Sequence, residues 1–342
     1  GMAVLGNAQF RKNKFHEAKF SKVELGDNRI VGSILREGEE LQIDVKGSLL
    51  DLTALLELEE PEQSKYKRGT PFKLNLALDN VEITRGRFLR NVTSTFFNDG
   101  LVWSNIALAS NIDGDKEFSI EFFPSEGKRF LRVKSNDAGE MLRIFDIYED
   151  MSGGQLDMTA QFEDMSVDSK VTGKGVIKDF RLVDAPILAR LLSIASITGI
   201  PDQLGAGGIT FQKFNAPFVL NDGLLEVREA KASGLSLGIT ASGVFDLESE
   251  TIDIKGSLAP LDTVNSLLGE IPVVGRLFSG GEKGGSVFAA EYTMSGPTDD
   301  PEIKTNPLSA LTPGIFRKLF NILPGVGLGK KTPVWADPGD IN

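Results

Sequence analysis

Alternation of apolar and polar residues with a period of two is the feature that most constrains the fold of this chain. In the longest case, residues 235–247, apolar side chains at the odd positions alternate with mostly polar ones. A polar turn at 248–250 separates this run from a second alternating run at 251–258. Successive side chains of a strand point to opposite faces, so each run predicts a strand with one apolar face. Together the two runs predict an antiparallel hairpin.

Shorter alternating runs recur at 41–46, 72–79 and 118–122. Thirteen alternating residues would span about 40 Å at roughly 3.3 Å each, so we expect tall strands, or a bulge at Gly243. Strands follow strands with little helix between them, which excludes repeated βαβ units. The predicted fold class is therefore mainly β, with antiparallel connections.

Three helices are predicted to interrupt the strands. Asp137 and Glu140 form a capping box for a helix near 138–150. Asp184 can cap a second helix, with Pro186 in its first turn and Gly199 at its end. This second helix is too short to span a bilayer, so it is either a buried plug or a surface-seeking helix. Its candidate contact residues are Leu188, Leu191 and Leu192.

The third predicted helix begins at residues 312–313 and is amphipathic. Its apolar face comprises Leu311, Ile315, Phe316, Leu319 and Phe320, beside Arg317 and Lys318. An internal cap on a sheet end and a membrane-binding helix both fit this pattern. Residues 326–342 are predicted to be a flexible tail.

Several classes of chemistry find no support in the residues. The chain has no cysteine, one histidine and a net charge of −11, which argues against thiolate or histidine metal sites and against nucleic-acid binding. Residues 234–238 match the G-x-S-x-G pattern of esterases, but that elbow needs a strand-to-helix turn and a histidine after the serine. The single histidine, His16, precedes it. We therefore predict no catalytic residues, no metal and no cofactor.

From about residue 135 onward the chain resembles the C-terminal region of AsmA-like proteins of the Gram-negative envelope. The resemblance rests on KSNDAGEMLR at 134–143, GGQL at 153–156, DAPILARLLS at 184–193, GGITF at 207–211, GITASG at 238–243, NSLLGEIP at 265–272 and NPLSALTPG at 306–314. Before residue 135 the match is loose and lies chiefly at 46–51.

The resemblance implies an elongated, curved antiparallel sheet that forms a groove, with a few short helices capping or plugging it. It divides the chain into a groove segment at 1–134, the AsmA-like C-terminal region at 135–325 and the tail. It also implies a periplasmic protein held in the inner membrane by an N-terminal anchor that this sequence does not include. Phospholipid would be the cargo, moving between the inner and outer membranes, and other envelope proteins are possible partners in outer-membrane assembly.

A groove of this kind would lower the free-energy barrier to moving a phospholipid through water. A phospholipid buries about 28 methylenes, and exposing them to water costs on the order of 20 kcal/mol at roughly 0.8 kcal/mol each. The candidate groove residues are Phe72, Leu74, Leu76, Leu235, Leu237, Ile239, Phe245, Ile252, Ile254 and Leu258. A β-sandwich would produce the same alternation, with its apolar face against a second sheet. A structural or interaction module that carries no lipid is therefore the alternative function.

Overall fold

A computed structural model describes residues 3–53, 68–194, 207–260 and 290–306, and the following statements concern those residues. They form seventeen strands and two short helices. The strands are β1 (Ala3–Arg11), β2 (Lys14–Leu25), β3 (Asn28–Glu37), β4 (Glu40–Asp51), β5 (Phe72–Thr84), β6 (Arg87–Asn98), β7 (Trp103–Ile112), β8 (Lys116–Ser125), β9 (Lys128–Ser135), β10 (Met151–Phe162), β11 (Val171–Leu182), β12 (Ile209–Asn221), β13 (Leu224–Gly234), β14 (Leu237–Asp246), β15 (Thr251–Pro260), β16 (Ala290–Pro297) and β17 (Glu302–Asn306). The helices are α1 (Ala138–Ile144) and α2 (Pro186–Ile194).

Each strand pairs with the next one in sequence, so the strands form one curved, unclosed sheet. At about 4.8 Å between strands, sixteen spacings give a length of about 77 Å along the sheet. The mainly β prediction is confirmed. The antiparallel prediction is wrong at one place, because β4 and β5 are parallel. A parallel pair cannot be joined by a tight hairpin, and residues 52–71 separate these two strands in the sequence.

Bulges bend the sheet. Register shifts mark bulges at Asn91 in β6 and at Glu229 in β13, where the backbone is left-handed. Each bulge adds local twist and bends its strand. The bulge predicted at Gly243 lies instead on the neighbouring strand at Glu229, whose backbone N–H is satisfied by the Ser242 hydroxyl at 2.9 Å.

Helix α1 lies at the edge of the sheet that carries the β5–β6 and β7–β8 turns, which we call the lower edge. Asp137 caps it as predicted, accepting a hydrogen bond from the Glu140 N–H at 3.0 Å. The Glu140 carboxylate does not complete the box and instead pairs with Arg143 at 2.8 Å.

The predicted end of this helix at residue 150 is wrong, because the chain leaves the helix after Ile144. Asp146 adopts a left-handed conformation, and the N–H of Ile147 returns to the Leu142 carbonyl at 2.8 Å. This is the Schellman pattern of helix termination. The Thr84 hydroxyl donates to the Ile144 carbonyl at 2.9 Å, which ties the helix end to β5.

Replacing Asp137 by Ala is expected to lower the free energy of unfolding by about 1–2 kcal/mol, because it removes the helix cap. The same carboxylate also accepts from Lys116 Nζ at 2.6 Å and raises the pKa of Lys116 to about 12. Asp113 is the matched control, since it contacts the same lysine at 2.9 Å but is exposed and caps no helix. Asp113→Ala should cost less than about 0.5 kcal/mol in urea unfolding. Equal losses in both variants would contradict a capping role.

Helix α2 lies inside the curve of the sheet. It begins at Pro186 as predicted, although the first helical hydrogen bond runs from Ala189 to the carbonyl of Ala185 rather than to Asp184. The helix follows β11 directly, yet Arg190 reaches Asp300 at 2.6 Å beside β17, six strands away. The C-terminal part of the sheet must therefore curl around α2.

The predicted hairpin at 235–258 is confirmed as β14 and β15, joined by a turn at 247–250. Its first strand is shorter than predicted, since residues 235–236 belong to the turn after β13. The predicted domain boundary at 134–135 falls within the last two residues of β9, a strand that pairs with β10 over seven positions. The sheet continues across that boundary.

Candidate lipid-binding groove

One row of paired residues crosses the sheet from β1 to β17 without a polar side chain, and we call it the apolar row. Each member is the registered partner of the next. The row consists of Ala8, Ala18, Ile34, Ile43, Leu74, Phe96, Ile106, Phe122, Leu131, Ala160, Gly173, Phe218, Val227, Gly243, Ile254, Met294 and Ile303. Paired residues lie on the same face of a sheet. The whole length of the sheet therefore has one apolar face, which contacts both helices.

The opposite face carries most of the charged side chains, although a few apolar ones such as the stacked Phe123 and Phe130 also lie on it. Lys46, Lys73, Lys134 and Asp253 alternate with members of the apolar face and are exposed. The sheet thus separates an apolar inner surface from a hydrated outer one, as alternation predicts.

The helices seal the apolar face in two places. Around α1, Leu89, Ile112 and Phe118 are at most 2 % exposed. Around α2, Phe211, Leu237 and Leu258 are fully buried. These regions are closed hydrophobic cores.

Tyr292 completes the core beside α2. Its hydroxyl donates to the Thr240 carbonyl at 2.8 Å, and burial raises the pKa of the phenol, so it stays protonated. Gly256 makes this possible, because a Cβ there would lie 2.6 Å from the Tyr292 hydroxyl.

Towards the upper edge, which carries the β1–β2, β3–β4 and β8–β9 turns, the apolar face is only partly covered. Large apolar side chains there are neither buried nor fully exposed. They include Ile34, Ile43, Phe72, Leu74, Phe96, Ile106, Ile120, Leu131, Met158, Phe162, Phe218, Leu220 and Phe245. Monomeric soluble proteins rarely leave an apolar strip of this extent open, and such a strip marks a binding surface.

The groove is also open at β1–β4. Here Val4, Phe20, Ile30, Ile34 and Ile43 line a hollow of about 280 Å³. Val4 is 56 % exposed although it faces this hollow. At the upper edge nearby, Phe10 and Phe15 pack edge to face with 6.0 Å between their ring centroids.

Two polar features interrupt the apolar face at its centre. The hydroxyls of Ser94 and Ser110 are buried and have no hydrogen-bond partner in the described part of the chain. Aromatic rings lie at the upper edge of the same strands, where Trp103 packs edge to face on Phe72 at 5.5 Å and on Phe96 at 6.0 Å. Trp103 is 41 % exposed, as suits an aromatic ring between apolar and aqueous surroundings.

Comparison with known protein families shows to which family the chain belongs. The YhdP protein family model matches residues 14–303, which is most of the chain. The chain belongs to the YhdP family. This family is part of the AsmA-like family of bridge-like lipid transporters, so the resemblance inferred from the sequence motifs is confirmed. Neither the curated proteins nor the solved structures that were compared contain a match.

Membership of the YhdP family identifies the chain as an envelope protein related to lipid transport. Neither of the two described helices is long and apolar enough to cross a membrane. An open apolar groove is the architecture that a bridge-like transporter needs, because it replaces the bilayer interior along a path through water.

The structure divides the predicted groove residues into two sets. Phe72, Leu74, Leu76, Ile239 and Phe245 lie on the apolar face and are partly exposed. Four others lie on the same face but are buried beside α2 or under its core, namely Leu237, Ile252, Ile254 and Leu258. Only the first set is accessible to a lipid chain in this conformation.

Leu235 was wrongly predicted to lie on a strand in the groove. It lies in the turn between β13 and β14 and is 67 % exposed. Ser236 shares this turn, which joins two antiparallel strands, so the G-x-S-x-G pattern of residues 234–238 does not form a strand-to-helix elbow.

Of the two interpretations of α2, the structure supports the buried plug. Leu188, Leu191 and Leu192 are at most 7 % exposed and pack in the core with Phe211 and Leu237. The predicted end of this helix at Gly199 lies outside the described residues. The same holds for the third predicted helix, with Leu311, Ile315, Phe316, Leu319 and Phe320, and for the tail at 326–342.

Sequence reasoning overlooked several groove strands of this YhdP-family chain. Residues 156–162 of β10 have the same alternation as the strands that were recognised, and residues 214–220 of β12 have apolar residues at every second position. That signal was sufficient to find Met158, Phe162 and Phe218. No pattern of this kind points to Arg36 and Arg129, because a single arginine in a strand is most often an outward-facing residue.

Arg129 is the best-buried charge on the apolar face, at 4 % exposure. It donates to the backbone carbonyls of Asp164 at 3.2 Å and Ser166, and it lies over the Phe162 ring at 4.9 Å. Burial lowers the pKa of the guanidinium. The hydrogen bonds and the ring offset part of that burial cost and hold the 163–170 loop at the upper edge.

Proposed function

We propose that this chain carries phospholipid along its apolar face between the inner and outer membranes, without catalysing a reaction. The observation that carries the proposal is the apolar row, which continues through all seventeen described strands while its upper side stays partly uncovered. Acyl chains would lie on this face, and head groups would remain in water beyond the upper edge. Membership of the AsmA-like family supports the same function.

The energetics suit a conduit rather than a specific receptor. Moving the roughly 28 methylenes of a phospholipid into water costs on the order of 20 kcal/mol, and a continuous apolar surface avoids most of that cost at every point of the path. Contacts of this kind are non-directional, so binding should tolerate different acyl chains. We further propose a periplasmic location, attachment to the inner membrane and a role in outer-membrane assembly, in line with the envelope family.

The proposal predicts that the purified chain retains phospholipid, detectable by mass spectrometry after organic extraction. Leu74→Arg and Ile106→Arg should each reduce the retained lipid at least about tenfold, because they place a charge where acyl chains would pack. Both side chains are partly exposed, so the arginine can reach water and the fold should persist.

Ala107→Arg is the matched control. Ala107 is the next residue along β7, lies on the outer face and pairs with Glu121, which suits a cation. This variant should retain lipid like the wild type. Protein that purifies without lipid and takes none up from detergent micelles would contradict lipid transport and favour the structural or interaction module.

A further inference from the structure

The upper half of the apolar face holds two charged side chains in the described strands, and both are arginines. They are Arg36 in β3 and Arg129 in β9. The chain as a whole has a net charge of −11, with more carboxylates than cations. A surface in the described strands that holds two cations and no carboxylate therefore differs from the rest of the chain. Arg129 is occupied by two backbone carbonyls and an aromatic ring. Arg36 is different.

Arg36 is partly buried, and in the described part of the chain it has neither a hydrogen bond nor an ion pair. The nearest carboxylates in sequence are those of Glu37 at the end of β3, Glu39 in the turn after it and Glu40 at the start of β4, and none of them pairs with Arg36. A guanidinium has five N–H donors and cannot lose its charge in a protein. Leaving such a group partly desolvated without an acceptor is unfavourable, so an anion at this position would be stabilised.

The surroundings of Arg36 indicate what kind of anion would bind to it. Arg36 pairs with Leu41, which in turn pairs with Phe72, so all three stand in the uppermost row of the apolar face. Two residues further into the groove along β3 is Ile34, which lines the 280 Å³ hollow together with Phe20. An amphiphile with its chains on the apolar face around this hollow would therefore have its polar group at the level of Arg36.

We propose that Arg36 binds the phosphate of a phospholipid head group whose acyl chains lie along the open apolar face at β1–β4, over the hollow. The guanidinium fork matches two phosphate oxygens, and such charge-assisted pairs are among the stronger hydrogen bonds. This inference rests on the proposed function and makes it more specific. The acidic turn at 37–40 suits a head group that carries a cation beyond its phosphate, such as phosphoethanolamine.

The test compares two lipids with identical acyl chains, dioleoyl phosphatidylethanolamine and dioleoylglycerol, which lacks the phosphate. The full chain is incubated with detergent micelles that contain both lipids in equal amounts, and the retained lipids are measured by mass spectrometry. Arg36→Gln should lower the ratio of phospholipid to diacylglycerol about tenfold relative to the wild type, as expected for the loss of one charge-assisted pair. Arg36→Lys, which keeps the charge without the fork, should give an intermediate ratio.

Arg29→Gln is the control, since Arg29 lies on the same strand, is exposed and faces outward next to Ile30. Its ratio should equal that of the wild type. The same ratio in Arg36→Gln, with both lipids retained, would overturn the head-group site and leave the groove intact. Loss of the preference on adding millimolar inorganic phosphate would also overturn it, because the site would then recognise free phosphate. Retention of neither lipid by any of these proteins would overturn the proposed function itself.

Discussion

Leu237→Arg is expected to abolish folding of the C-terminal part of the sheet. Leu237 is fully buried in the core around α2, with Phe211 and Leu258 as fully buried neighbours in the same cluster. An arginine there would be an unpaired charge in an apolar interior, and the loss should exceed about 5 kcal/mol. Circular dichroism and size-exclusion chromatography would detect the loss of strand signal or aggregation.

Leu235→Arg is the control, because it makes the same substitution two residues earlier at a position that is 67 % exposed. It should change stability by less than about 0.5 kcal/mol. Folded Leu237→Arg protein that merely retains less lipid would show that the core around α2 is open to guests, contrary to the sealed packing seen here.

Leu192→Ala is expected to lower the free energy of unfolding by about 2–5 kcal/mol. Leu192 is fully buried in α2, where it packs in the core formed by the surrounding strands. Removing three carbons from such a site costs their transfer free energy plus a cavity term, since the helix is held by the curled sheet and relaxes only partly. Urea unfolding followed by circular dichroism would measure the difference.

Ile194→Ala removes a side chain of the same size two positions later, at a residue that is 46 % exposed. Its cost should be below about 1 kcal/mol. If both variants lost equal stability, α2 would not act as a plug whose buried side holds the sheet. Unchanged stability in both variants would contradict the core assignment altogether.

Strand alternation made much of the fold predictable. The runs at 41–46, 72–79 and 118–122 lie inside β4, β5 and β8, and the hairpin of β14 and β15 has the predicted turn. Element ends were less predictable, because they depend on partners distant in sequence. Helix α1, for example, ends at Ile144, whose backbone carbonyl accepts a hydrogen bond from the Thr84 hydroxyl of β5.

The sequence predicted which side chains share the apolar face of the sheet. It did not predict which of them are exposed. Phe245 and Ile254 occupy equivalent positions in two alternating runs, yet Phe245 is partly exposed and Ile254 is 5 % exposed. Ile254 belongs to the buried core that contains the leucines of α2, whereas Phe245 only packs against that core and stays partly exposed. Alternation reports only on side-chain direction relative to the local strand.

By itself, the sequence determined that the chain forms strands with one apolar face, because the side-chain period of two follows from backbone geometry alone. Its motifs also determined the family. Only the tertiary structure decided that one row of apolar residues continues through the seventeen described strands and where the helices seal it. It also decided that Arg36 has no partner among the described residues at the rim. Those properties depend on register, bulges and curvature, which bring together residues far apart in the chain and have no local signature in the sequence.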